Sequence, residues 1–186
     1  MTTFTTRPLA TAASGLALCP YLARLDQRYP EVAQQDWQAA LEAALAATRA
    51  AAHGPEAEAA KALRQAKGRV HLALALADLT GAATLEEVTG GLSVLADTAM
   101  QTALTVAARE AGPRDQALWQ PDAAGDPAMP GLFILAMGKH GAQELNYSSD
   151  IDLAAFFDRD RLPEQHQDAA TASAVRLIGA ASRLLE

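Results

Sequence analysis

Residues 131–158 read GLFILAMGKHGAQELNYSSDIDLAAFFD. Leu132 to Met137 is a short apolar run bounded by glycines, which predicts a buried strand, and Ile151 to Phe157 predicts a second. Between them lies Gly138-Lys139-His140-Gly141. Small residues there let backbone N–H groups approach phosphate oxygens closely, and Lys139 adds a point charge. The second strand opens with Ser149-Asp150-Ile151-Asp152. Strand alternation sends Asp150 and Asp152 to one face and Ile151 and Leu153 to the other. Two neighbouring carboxylates repel each other unless a cation lies between them, and Mg²⁺ is the economical occupant for oxygen ligands. Alone, a D-x-D is more often a solvated strand end, and a G-K-x-G a tight turn. Their succession within one strand–turn–strand unit is the more demanding pattern.

Upstream the pattern is helical almost without a break from Cys19 to about Leu118. Trp37, Leu41, Ala44 and Leu45 keep the helical period until His53-Gly54-Pro55. A longer helix is expected from about Glu56 to Leu79, closed by Thr80-Gly81. Thr84 opens the next, with Glu87 three residues on as capping-box partner, and it runs to Ala111-Gly112-Pro113. Residues 119–130, WQPDAAGDPAMP, hold three prolines and a glycine and read as a linker. Downstream, a helix from Pro163 carries Val175, Leu177, Ile178, Leu184 and Leu185 to Glu186 without a capping residue, as if cut in mid-domain. The expected organisation is a mobile leader (1–15), a helical region (16–118), a linker (119–130) and a partial α+β domain (131–186). The fold class is therefore α+β.

Composition bounds the function. The chain has 186 residues, 50% of them hydrophobic and only 5% aromatic, which favours closely packed, alanine-rich helices. A net charge of −7 argues against a general nucleic-acid binder. Bulk charge leaves a small nucleotide open, because a metal ion can supply local positive charge. Cys19 is the single cysteine, so no intrachain disulfide can form and a reducing compartment is the simpler reading. The leader is a poor secretory signal and no run is apolar enough to span a bilayer, which makes cytoplasmic the default and a membrane partner unexpected.

The order strand, glycine turn, short connection, S-D-x-D strand is similar to the site of polymerase-beta-like nucleotidyltransferases. The stretch AMGKHGAQELNYSSDIDL resembles more closely the signature of the glutamine synthetase adenylyltransferase family. Gly138, Lys139, Gly141, Glu144, Leu145, Tyr147, Ser149, Asp150, Ile151, Asp152 and Leu153 all match its pattern. The upstream LADLTG (76–81), LEEVT (85–89) and LSVLAD (92–97) resemble the family's helical region before its first catalytic domain. Ala136 and Ala142 depart from it, standing where glycine is usual. The resemblance implies a truncated polymerase-beta-like domain from the amino-terminal, adenylyl-removing side of a bifunctional enzyme. That activity uses inorganic phosphate to take AMP off an adenylyl-tyrosine of glutamine synthetase, releasing ADP. It implies that Asp150 and Asp152 are catalytic and hold Mg²⁺. Gly138, Lys139, Gly141 and Ser149 then contact the phosphates of ATP or ADP. Glutamine synthetase and a PII-type nitrogen signalling protein are the implied partners of the whole enzyme. The family's further carboxylate, in a later D-x-R-L-R-P segment, is absent here, so the piece is expected to be inactive alone.

Other residues carry plainer expectations. His140 reads as an exposed bystander, and Glu144 as a helix-dipole partner. Lys61, Arg64, Lys67 and Arg69 read as the solvated face of a helix. Trp37 and Trp119 read as core or boundary packing. Two other classes stay open: a noncatalytic helical interaction module, and another polymerase-beta-like nucleotidyltransferase.

Overall fold

The computed structural model describes residues 15–186 apart from Ala124 and Pro163. The leader, residues 1–14, therefore lies outside the described residues. Four helices build the amino-terminal layer: α1 (Pro20–Arg28), α2 (Trp37–Ala51), α3 (Glu56–Thr80) and α4 (Leu85–Arg109). A short α5 (Pro113–Gln116) follows, then β1 (Gln120–Pro121), β2 (Pro127–Ala128), β3 (Leu132–Ala136), the one-turn α6 (Gly138–Gly141), β4 (Leu153–Phe157) and α7 (Glu164–Leu185). The fold is mostly helical with two small antiparallel sheets, an α+β arrangement.

Local chemistry sets the helix boundaries. The Asp36 carboxylate caps α2 by accepting from Gln38 N and Ala39 N. At the start of α4 both bonds of the capping box form: Glu87 N donates to Thr84 Oγ1 at 3.2 Å, and Thr84 N to Glu87 Oε2 at 2.7 Å. Small residues let these helices approach closely. A Cβ on Gly91 would stand 3.0 Å from Leu74 Cδ1, and one on Gly68 would stand 2.8 Å from the Tyr29 ring. Val70, Leu72 and Leu74 are fully enclosed as a result.

The second hydrophobic cluster joins the two halves of the chain. Ala103, Val106 and Ala107 of α4 pack with Leu177, Ala181 and Leu184 of α7, and Leu132, Ile134 and Leu153 close over them. In β3 and β4, Leu132 pairs with Phe157, Ile134 with Ala155 and Ala136 with Leu153. These pairs make the inner face, while Phe133, Leu135 and Phe156 point outward and stay exposed. Trp37 packs between the first and third clusters and Trp119 between the second and fourth, in keeping with their expected packing roles.

Three expectations need correction. The second strand begins at Leu153, so Asp150 and Asp152 stand in the lead-in before it. Only the bond from Met137 N to Asp152 O carries the ladder that far. Glu144 follows the α6 turn rather than opening a helix, its N–H donating to Lys139 O. His140 is buried, not exposed, because the turn that carries it is pressed onto α4. Residues 119–130 contain the β1–β2 hairpin, with Met129 buried at its end.

Candidate nucleotide site

The connection from β3 to β4 is short and heavily constrained. Gly138 opens α6 with φ +54, a conformation that costs an L side chain about 1–2 kcal/mol. A Cβ on it would lie 3.6 Å from Asp152 Oδ2, so the glycine turn and the second aspartate are neighbours. Gly141 is demanded by packing: a Cβ there would stand 2.4 Å from the Ala136 carbonyl oxygen. The two alanines that depart from the family pattern fit without strain. Ala142 has φ −84, and Ala136 is an ordinary strand residue. The one positive φ on a non-glycine residue among the described residues is that of Gln143, at 61.

After the turn, alternate residues anchor the loop. Leu145 is buried in the first hydrophobic cluster, and Tyr147 and Ile151 pack against the same cluster. The loop also closes on itself. Asn146 N donates to Ser149 Oγ, Ser148 N donates to Asn146 Oδ1, and Ser149 N donates to Asn146 O. Ser149 Oγ thus accepts one bond within the loop while its own proton stays available to a ligand. Asp150 and Asp152 are both exposed, and neither makes an ion pair among the described residues.

The candidate residues fall into two groups in space. Gly138 and Asp152 adjoin at the turn, with Lys139 and Gly141 exposed beside them in α6. Ser149 and Asp150 instead border a cleft of about 760 Å³ between α3, α4 and the end of α7. Among the described residues no three His, Cys, Asp or Glu side chains are grouped to enclose an ion. Asp150 and Asp152 are each oxygen donors of the kind Mg²⁺ takes together with phosphate oxygens and water. They supply fewer protein ligands than a two-metal centre uses.

Two histidines have partners that the sequence does not show. His140 is 2% exposed, its Nε2 donating to Asp97 Oδ1 of α4 at 2.8 Å, so the glycine turn is tied to the helical layer. His71 on α3 lies edge-on to Tyr147, with ring centroids 5.6 Å apart, and its Nδ1 is 3.0 Å from the Tyr21 hydroxyl. Burial, then the Lys67 ammonium, pulls its pKa down to about 4, so the ring is neutral near pH 7 and shares a hydrogen bond with the Tyr21 hydroxyl. Tyr147 has the opposite response: burial, then the Asp78 charge, raises its phenol above the usual range. Local composition marked neither histidine, because each finds its partner on another element.

The family model for glutamate-ammonia ligase adenylyltransferase matches residues 9–184. A bifunctional glutamine synthetase adenylyltransferase/adenylyl-removing enzyme from Caulobacter vibrioides is 41% identical over 175 residues, 91% of this chain and 18% of the relative. Its namesake from Bradyrhizobium sp. (strain BTAi1) is 39% identical over 184 residues, 92% of this chain and 18% of that relative. The one from Xanthobacter autotrophicus is 44% identical over 137 residues, 73% of this chain and 14% of that relative. No solved structure matches. The chain thus spans less than a fifth of the length of these curated relatives, and it belongs to the glutamate-ammonia ligase adenylyltransferase family.

Proposed function

We propose that this chain is the nucleotide-handling part of an adenylyl-removing region, in a polymerase-beta-like domain that further residues complete. The observation that carries the reading is the adjacency of Gly138 and Asp152: a Cβ on the glycine would lie 3.6 Å from the carboxylate, so the side-chain-free opening of the turn stands directly beside an exposed, unpaired aspartate. Asp150 and Asp152 would hold Mg²⁺, which supplies positive charge to phosphate oxygens when bound. Gly138 and Gly141 keep the turn free of side chains, Lys139 adds a flexible cation, and Ser149 retains a proton to donate. In the whole enzyme, inorganic phosphate would attack the adenylyl phosphorus on glutamine synthetase. The bond to the tyrosine oxygen would break, giving ADP and the free hydroxyl.

The relatives' printed names support glutamine synthetase as the partner and an adenylyl nucleotide as the group handled. ATP or ADP as ligands, regulation by a PII-type protein and a cytoplasmic location belong to the same proposal. Among the described residues no helix is long and apolar enough to cross a membrane. The division at 119–130 is part of it too. Limited proteolysis should cut first between residues 122 and 126, at the hairpin tip, and a first cut within α4 would contradict it.

The deciding experiment replaces one ligand. In a full-length protein containing this chain, Asp152→Asn should lower phosphate-dependent release of ADP from adenylylated glutamine synthetase by roughly a thousandfold. Its thermal melt should be unchanged, since the side chain packs against nothing that needs it. Ile151→Asn, on the packed side, should instead lose activity in step with loss of folded protein. Near-normal turnover by Asp152→Asn would remove the metal assignment.

A further inference from the structure

The turn that carries Gly138 does not hold its shape by itself. It is entered at φ +54 on Gly138 and left at φ 61 on Gln143. For a residue with a side chain, as at Gln143, such backbone costs about 1–3 kcal/mol and persists only where its surroundings over-determine it. Gly141 is meanwhile pressed onto the Ala136 carbonyl, 2.4 Å from where a Cβ would stand. The turn's own backbone bonds are local. Gly141 N donates to Met137 O, Ala142 N to Gly138 O, Gln143 N to His140 O and Glu144 N to Lys139 O. Among the described residues one hydrogen bond leaves residues 138–144 for the helical layer, from His140 Nε2 to Asp97 Oδ1 at 2.8 Å.

Packing alone does not account for this tie. His140 is 2% exposed, yet its Nδ1 has no hydrogen-bond partner among the described residues. Burying that nitrogen unmet costs about 1–3 kcal/mol, which an apolar side chain filling the same space would avoid. Asp97 has a side chain 56% exposed, so the fold draws little on it. The bond thus joins a buried ring that stability does not favour to an acceptor that stability does not require. What it fixes is the place of α6, whose Gly138 stands beside Asp152. We infer that His140 is a positioning residue, its bond to Asp97 setting the glycine turn in register with Asp152. This deepens the proposed function and rests on it for the reaction affected. Buried as it is, the ring acts on that reaction only through the turn.

Substitutions in a full-length protein containing this chain test it, read by phosphate-dependent ADP release and by hydrogen exchange of residues 138–144. His140→Leu keeps bulk and removes the donor. Asp97→Ala removes the acceptor from an exposed position, so it decides the matter even if His140→Leu fails to fold. Each should lower kcat at least tenfold, leave KM for phosphate within threefold and speed exchange of the segment, with little change in thermal midpoint. The double variant should be no slower than either single one, because both remove the same bond. His140→Gln, which offers a donor at similar reach, and Asp97→Asn, which keeps an acceptor, should hold kcat within threefold. Unaltered kcat in Asp97→Ala, losses that only follow loss of folded protein, additive losses in the double variant, or His140→Gln as slow as His140→Leu would each overturn the inference. The proposed function falls on a different result, near-normal turnover by Asp152→Asn.

Discussion

The helical layer and the strand pair are stabilised in opposite ways. In α2, α3 and α4 the apolar stripes face one another, and Leu72, Leu74 and Ala103 are closed off from water on every side. In β3 and β4 only one face is covered. Phe133 and Phe156 stack on the other, centroids 5.4 Å apart, yet remain 51% and 47% exposed, with Leu135 and Met137 nearby. The first region therefore carries its own core. The second borrows its burial from α4 and α7 and holds the candidate site at the end where its connection, anchored by Leu145 and His140, exposes Asp150 and Asp152. Rigidity comes from the helices, and chemistry sits where the sheet is least enclosed.

That contrast predicts where substitutions hurt. Leu74→Ala should cost about 2–5 kcal/mol in denaturant unfolding, since the side chain is fully enclosed and wedged against Gly91. A loss below about 1 kcal/mol would mean that the helices can collapse onto the cavity.

Acid should act on the same layer. The folded pKa of His71, about 4, lies below the ordinary histidine value of 6.5, so between those values the unfolded chain binds the extra proton. The stability this ring contributes is complete above about pH 6.5 and is lost as pH falls towards 4, by at most roughly 3 kcal/mol. His71→Gln should flatten that part of a stability–pH curve. An identical slope in the variant would transfer the effect to other groups.

Gly141→Ala addresses the turn. The new Cβ meets the Ala136 carbonyl, backbone that cannot rotate away, so a loss of about 1–3 kcal/mol is expected together with exchange broadening of amides 136–142. If the turn yields instead, the melt stays put and only those amide shifts move.

The smallest effect belongs to the open face. Phe133→Ser should change stability by no more than about 1 kcal/mol, the scale of one aromatic pair. It should also reduce self-association at high concentration, because exposed apolar patches of this kind drive it. A loss comparable to that of Leu74→Ala would show that the outer face is as buried in solution as the helical core, and the contrast would fail.

Much of the architecture is written locally. Thr84 and Glu87 form their capping box with residues three apart, and the glycine turn between two apolar runs became α6 between β3 and β4. Such features were legible because the interacting groups are near neighbours in the chain. The alternation that put Ile151 and Leu153 on the packed side held as well, and family membership followed from one contiguous stretch. Strand onset was misjudged by two residues, since the paired ladder ends at Ala136 with Leu153 and leaves Asp150 and Asp152 before it.

Tertiary structure alone decided the rest. His140 is buried because Asp97, 43 residues earlier, waits on α4 to accept from its ring. Arg64 and Lys67 border a cleft whose opposite wall is a loop some eighty residues later, while Lys61 and Arg69 pair with Glu58 and Glu31. Hydrophobic period, caps and turns report what a residue does to its own segment. Burial, pairing and the wall of a cavity depend on which distant segment arrives opposite, and one-dimensional pattern carries no record of that meeting.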